Sequence, residues 1–148
     1  MSDQELLQAV QQLIQGEVAS WTVLLVDDEP DNLFIAGKTL SFNGATVHTA
    51  RNGVEGLALL GQITPSFILS DLSMPQMDGW EMLKQVRANP RTRSVPVIAL
   101  TAHAMAGDRV RGLDAGFNGY IIKPFRPSTL IAELLHCFQE VLNPPPVR

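Results

Sequence analysis

Cysteine is almost absent: Cys137 is the only one in 148 residues, so no internal disulfide can form and a reducing cytoplasm is the expected compartment. Long hydrophobic runs are missing too. None approaches the ~18 residues that a membrane span needs, and the opening MSDQELLQAV lacks the basic-then-apolar order of a secretory signal. There is no run of Lys or Arg, and 11 basic against 15 acidic residues leave a formal charge of -4, without the electrostatic footprint of a nucleic-acid binder. Neither a membrane nor nucleic acid is therefore an expected partner. No internal repeat and no low-complexity segment interrupts the chain. What remains is ordinary globular composition, 45% hydrophobic and 18% charged. The length suits a single domain of ~100 to 200 residues with one core.

Five short apolar runs have the length, β-branching and flanking Gly, Pro, Asn and Asp of strands: 22–26 (TVLLV), 45–49 (ATVHT), 66–70 (SFILS), 95–100 (VPVIAL) and 119–122 (GYII). Helical spacing fills the gaps. Leu33, Phe34, Gly37 and Leu40 precede a stop at Asn43-Gly44; Val54, Leu57, Ala58 and Leu60 precede Gly61; Trp80, Leu83, Lys84 and Arg87 precede Asn89-Pro90. Two further helices are expected near 105–115 and over 127–142, the latter with Pro127 in its first turn and Leu130, Ile131, Leu134, Leu135 and Phe138 as its inner face. Strand and helix thus alternate five times. This argues for an α/β fold, a parallel sheet doubly wound by helices, because each return to a parallel strand needs a crossover of about a dozen residues or more. The runs LLV, FIL and VIAL are apolar without alternation, as strands buried on both faces should be, whereas Thr46, His48 and Thr49 suit an edge strand.

Outside this frame, residues 1–20 read as an extra N-terminal amphipathic helix. Ser2-x-x-Glu5 has the form of a capping box, Leu6, Val10, Leu13 and Ile14 share a face, and Gly16 can end it. The main domain is then 21–142. Asn143 and the three prolines after it stop the last helix, leaving a Pro-rich tail, 143–148, with no second domain expected beyond it.

In a parallel sheet all strands end on one edge, and ligands bind there. The first expected strand runs into Asp27-Asp28-Glu29, the third into Asp71, the fourth into Thr101 and the fifth into Lys123, so polar groups converge. Several carboxylates within a few ångström repel one another, and a hard divalent cation, Mg²⁺ as the natural choice, relieves the repulsion. With one ammonium and one hydroxyl added, the cluster matches what a phosphoryl group needs, including a carboxylate placed for in-line attack. The sequence offers no general base, no histidine dyad and no Gly-rich phosphate loop. A carboxylate nucleophile fits better than an activated water. Alone, Asp27-Asp28 before Pro30 reads more readily as a helix N-cap and first-turn pair, and Asp71, Thr101 and Lys123 together reverse that reading.

Four motifs, LLVDDEP, SDLSMPQMDGWEML, VIALTA and GYIIKPF, each at an expected strand end, together resemble the receiver domain of two-component response regulators over residues 22–142. The resemblance implies a flavodoxin-like five-stranded sheet of order 2-1-3-4-5. It also implies a phosphoacceptor, modified on Asp71 by a sensor histidine kinase or a histidine phosphotransfer protein, that signals to a downstream protein target by phosphorylation-dependent contact. No enzymatic activity is implied beyond self-catalysed phosphorylation and dephosphorylation. By position, Asp28 becomes the direct Mg²⁺ ligand, Asp27 one acting largely through water, the backbone carbonyl of Ser73 the third protein ligand, and Asp71 the acceptor at the metal. Thr101 resembles the hydroxyl that turns toward the phosphoryl group, Lys123 the cation that bridges to it, Tyr120 the aromatic switch, and Lys123-Pro124 the family's cis peptide. The side chains of Ser73 and His103 are the rate-tuning candidates. The stretch TAHAMAGDR is further similar to receivers of hybrid kinases and of single-domain polarity regulators.

Acyl phosphate on Asp71 would replace one negative charge with about two, drawing Thr101 inward and vacating space for Tyr120. The helix near 105–115, the strand 119–122 and the helix 127–142 would then change their exposed face. Other residues have plainer readings. His48 and His136 lack partners at ligand spacing, Cys137 packs as a small hydrophobe, Trp80 packs at a helix start, and Trp21 either anchors the extra helix or is exposed. That helix docks on its own domain, forms a homodimer or binds a partner, and the sequence does not rank the three. Two rival functions stand beside the main one: a Mg²⁺-dependent phosphohydrolase using an aspartyl phosphate, whose Asp-x-Asp spacing Asp27-Asp28-Glu29 lacks, and a non-phosphorylated interaction module.

Overall fold

Runs that are apolar at every position must be covered on both faces, and they become the middle of the sheet. In the computed structural model, which describes residues 3–102 and 116–144, five strands pair in parallel: β1 (Thr22–Val26), β2 (Thr46–Ala50), β3 (Phe67–Asp71), β4 (Val97–Thr101) and β5 (Gly119–Ile122). Their order is β2-β1-β3-β4-β5, the flavodoxin-like order expected. Every residue of β3 and β4 is buried, whereas β2 exposes Thr46 and Thr49 at the sheet edge. β4 begins two residues later than the apolar pattern suggests. Pro96 has no N–H to donate, so only its carbonyl joins the sheet, accepting from Ile68 N at 2.9 Å.

The described helices are α1 (Asp3–Gln15), α2 (Pro30–Phe42), α3 (Gly53–Leu60), α4 (Gly79–Ala88) and α5 (Leu130–Leu142). The helix expected near 105–115, Ser2 of the capping box and residues 145–148 lie outside the described residues. α5 starts at Leu130 and not at Pro127. Thr129, at φ -120°, departs from helical geometry, so 127–129 form a separate turn in which Arg126 O accepts from Thr129 N and Leu130 N. No helix among the described residues is long and apolar enough to cross a membrane.

Strand alternation divides the core in two. Val23, Leu25, Phe67, Leu69, Ile98 and Leu100 face Leu40 of α2 and Leu130, Leu134 and Phe138 of α5. On the other face Leu24, Val26, Ile68, Val97 and Ala99 pack with Met82, Leu83 and Val86 of α4 and with Phe117. Arg87, the last basic residue of α4, clips the start of β4 and the approach to β5. Its guanidinium donates to Arg93 O (3.1 Å), Val95 O (2.7 Å), Gly116 O (2.8 Å) and Asn118 Oδ1 (2.9 Å). All four acceptors are neutral, and burial pulls its pKa down to about 10.

The extra helix docks on its own domain. Val10 and Leu13 are buried in the α5-side core, and Leu6 and Ile14 pack against it. Trp21 is the anchor: its Nε1 donates to Leu13 O (3.2 Å), and its ring stands edge-on to Phe67 (5.4 Å) and Phe138 (5.9 Å). Glu5 Oε2 accepts from Ser94 Oγ (2.8 Å), tying the helix to the approach to β4. After a 3-10 turn at Val18–Ser20, Ala19 lies against Gly44. A Cβ there would meet Ala19 Cβ at 2.9 Å, and φ of +99° already excludes most L side chains. Replacing Trp21 with Ala should therefore cost ~3–5 kcal/mol in urea unfolding. Mg²⁺ affinity should be unchanged in the same variant, because Trp21 precedes β1 at the amino edge of the sheet.

Candidate functional site

Four strands end together because their registers are nearly level. Val26 pairs with Ser70, Asp71 with Leu100, and Thr101 with Ile122. The ladder continues one residue past β1 and β5, where Asp27 N donates to Ala50 O (3.1 Å) and Lys123 N to Thr101 O (2.7 Å). Backbone pairing alone thus delivers Asp27, Asp71, Thr101 and Lys123 to one rim. The β3–α4 loop turns at Gln76 (φ 67°), Met77 O accepts from Gly53 N (3.0 Å), and Asp78 Oδ1 caps α4 by accepting from Glu81 N (2.9 Å). Gly79 has a role that sequence reasoning missed. Its N–H donates to Leu72 O (3.0 Å), and a Cβ there would collide with Asp71 O and the Leu72 backbone, so only glycine lets α4 start directly beneath the end of β3. A helix start at Trp80 is legible in the sequence, but not what that start must touch.

These ends enclose an open cleft of about 560 Å³ lined by Asp28, Glu29, Asp71, Ser73, Thr101 and Lys123, among others. Asp27 is fully buried, Asp71 and Thr101 nearly so, and Asp28 is exposed. One carboxylate oxygen from each of Asp27, Asp28 and Asp71 falls within a set spanning no more than 4.8 Å. Lys123 Nζ sits 3.1 Å from Asp27 Oδ2 and 3.2 Å from Asp71 Oδ2. Asp27 Oδ1 accepts from Glu29 N (2.9 Å), and Asp71 Oδ1 from Ser73 N at a long 3.4 Å. Asp27 Oδ2 is buried with no hydrogen bond of good alignment, and Lys123 Nζ at 3.1 Å is its counter-charge. Three carboxylates, two of them sharing one ammonium and one with an under-satisfied buried oxygen, form an all-oxygen donor set that suits a hard divalent cation.

The remaining expected residues are placed as follows. Tyr120 lies on β5, half-buried, packed beside Phe117 at 6.4 Å, and it is not among the residues lining the cleft. Ser73 lines the cleft. His103 lies outside the described residues. The Lys123-Pro124 peptide is cis, as the resemblance implied.

Burial, followed by the Asp27 charge, pushes the Asp71 pKa from 3.8 up to about 6 against the pull of Lys123. For Lys123, burial opposes the charged form, but the paired carboxylates outweigh it and hold its pKa above 10.5. A raised carboxyl pKa means that the ionised Asp71 costs stability once the pH passes the folded value, and costs nothing below the unfolded one. In metal-free protein, Asp71→Asn should therefore be the more stable form at about pH 7.5, by roughly 1 kcal/mol after allowance for solvent screening at the open cleft. Thermal melts should lose that gain as the pH falls through the window from about 6 to 3.8. Adding Mg²⁺ should raise the melting temperature of the unsubstituted chain more than that of Asp71→Asn.

Comparison with known proteins points the same way. The family model for the response regulator receiver domain matches residues 23–135. The chain is 42% identical over 114 residues to an uncharacterized 14.6 kDa protein from the sodA1 3′ region of Leptolyngbya boryana, covering 77% of this chain and 87% of that one. It is 38% identical over 112 residues to response regulator MprA of Mycobacterium ulcerans, covering 76% of this chain and 47% of MprA, so it spans about half of that relative's length. Among solved structures, chemotaxis response regulator CheY4 of Vibrio cholerae superposes with a TM-score of 0.75 at 33% identity, over 79% of this chain and 98% of that one. The receiver domain of sensor histidine kinase PA1611 from Pseudomonas aeruginosa PAO1, solved with a magnesium ion coordinated in its active site cleft, gives 0.71 at 34% identity, over 80% and 98%. Receiver domains of this kind are generally signalling domains rather than enzymes and are phosphorylated on an aspartate. Sheet order, strand-end cleft and family match coincide on the same residues: the chain belongs to the response regulator receiver family.

Proposed function

We propose that this chain accepts a phosphoryl group on Asp71 from the phosphohistidine of a sensor histidine kinase or a histidine phosphotransfer protein, in the cytoplasm and with Mg²⁺. Its output is a phosphorylation-dependent contact with a downstream protein. The observation that carries this reading is the shared ammonium: Lys123 Nζ bridges the buried Asp27 and the cleft-facing Asp71 at 3.1 and 3.2 Å, beside a third carboxylate. A cation already centred between two carboxylates has only to follow the charge outward when a phosphoryl group arrives.

In the transfer, one Asp71 oxygen forms a P–O bond as the donor's P–N bond breaks, and the electron pair of that bond returns to the imidazole nitrogen. Lys123 neutralises one phosphoryl oxygen, and the Thr101 hydroxyl donates to another. Asp28, Asp71, the Ser73 carbonyl and, largely through water, Asp27 would hold Mg²⁺, which when bound offsets the charge of the carboxylates and of the incoming phosphoryl group. The magnesium-bearing cleft of the PA1611 receiver supports this assignment. Hydrolysis reverses the modification: water attacks phosphorus, phosphate leaves and the Asp71 carboxylate is restored. The side chains of Ser73 and His103 tune that rate, and Tyr120 changes rotamer with the state of Asp71.

Incubation with acetyl phosphate and Mg²⁺ should add one phosphoryl group by intact mass. Asp71→Asn should abolish the gain, and a flat spectrum from the unsubstituted chain would leave the interaction-module reading in its place. Multiple turnover of a generic phosphate ester would favour the phosphohydrolase. Lys123→Ala should still be modified while losing the accompanying change at Tyr120, and normal signalling by that variant would remove the bridging role.

A further inference from the structure

One wall of the cleft is not polar. Trp80, in the first turn of α4, lines it next to Leu72 and Met74, and the preceding Gly79 fixes that turn to the backbone of the acceptor strand. The Trp80 ring meets Phe117 edge-on, with centroids 5.3 Å apart and planes at 81°. Phe117 is 2% exposed and in turn meets Tyr120, at 6.4 Å and 47°. Tyr120 pairs in register with Ala99, two residues before Thr101. Three rings therefore form a continuous line from the cleft wall, along the α4 side of the sheet, to β5. The other tryptophan, Trp21, belongs to the opposite core.

We propose that Trp80 and Phe117 are positioning residues that tie the state of the Asp71 cleft to the position of Tyr120. This inference rests on reading Asp71 as the phosphoacceptor, and it adds a connection beside Thr101. Interiors are packed to near crystal density, and edge-on ring pairs have a directional preference, so a ring cannot change place without its neighbour taking a new contact. Phe117 has almost no exposed surface into which to yield. A shift of Tyr120 changes its contact with Phe117 and, through that enclosed ring, the contact with Trp80 at the cleft wall, and by the reciprocity of linkage a loaded cleft biases Tyr120 along the same line.

The test uses the full chain. Tyr120 is the only tyrosine, so fluorotyrosine labelling gives a single fluorine resonance, and beryllofluoride with Mg²⁺ stands in for the acyl phosphate. That resonance should move on loading. Phe117→Leu keeps the position apolar but removes the ring. It should still gain one phosphoryl group from acetyl phosphate, while its ratio of loaded to unloaded Tyr120 positions falls ~2- to 30-fold, the range that coupling through packed side chains spans. Trp80→Phe, which preserves an edge-on ring, should keep the response. A full response in Phe117→Leu overturns the inference, as does a Tyr120 resonance that ignores loading of the unsubstituted chain. Fluorotryptophan labelling tests the line without touching Phe117. In Tyr120→Leu the Trp80 resonance should shift while that of Trp21 stays, and an unmoved Trp80 resonance overturns the inference even if Phe117→Leu fails to fold. A failure of the underlying reading looks different: the unsubstituted chain would then gain no mass from acetyl phosphate.

Discussion

Three carboxylates crowded at the end of a parallel sheet, two of them paired with one ammonium, are the constraint around which the molecule is arranged. Like charges this close would separate in a flexible chain. Here Asp27 and Asp71 extend ladders whose other residues are buried on both faces, so the sheet holds them together against their repulsion. The raised Asp71 pKa reflects first its burial and then the nearby Asp27 charge. Crowded carboxylates favour a cation beside them, and on the proposed function Lys123 would meet the oxygens of a phosphoryl group on Asp71.

The stability that tolerates this strain lies at the opposite edge. There Trp21, Phe67 and Phe138 pack as three mutually edge-on rings, α1 covers the end of the sheet, and Arg87 clips the approaches to β4 and β5 with neutral acceptors. The strand ends open into the acidic cleft, at the far end of the sheet from this packing. The packing also gives the N-terminal helix a structural task in its own chain: a face formed by Leu6, Val10, Leu13 and Ile14 is already used.

Much of this was legible because it follows from local rules. LLV, FIL and VIAL read as central strands with GYII beside them, and residues at the carboxyl ends of parallel strands meet at a rim, so Asp27, Asp28, Asp71, Thr101 and Lys123 are legible as one group. Boundaries slipped where a single residue overrode the pattern, as at Pro96, whose missing N–H delays β4, and at Thr129, whose backbone delays α5 past Pro127. Arg87 read as one more position on a helix, because its four acceptors come from loops that no spacing connects. Gly44 reads as a helix stop and Gly79 only as part of a motif, and the atoms that forbid a side chain at each, Ala19 Cβ and Asp71 O, belong to other parts of the chain.

The sequence by itself determined the alternation of strand and helix, the parallel sheet and the set of polar groups at its edge, since periodicity and strand polarity are properties of neighbours along the chain. Only the tertiary structure decided that Asp27 is buried while Asp28 is exposed, that one ammonium serves two carboxylates, that the extra helix turns back on Trp21, and that Trp80, Phe117 and Tyr120 touch in a row. Each of these depends on the distance between residues far apart in sequence, and that distance is set by packing, which no local pattern records.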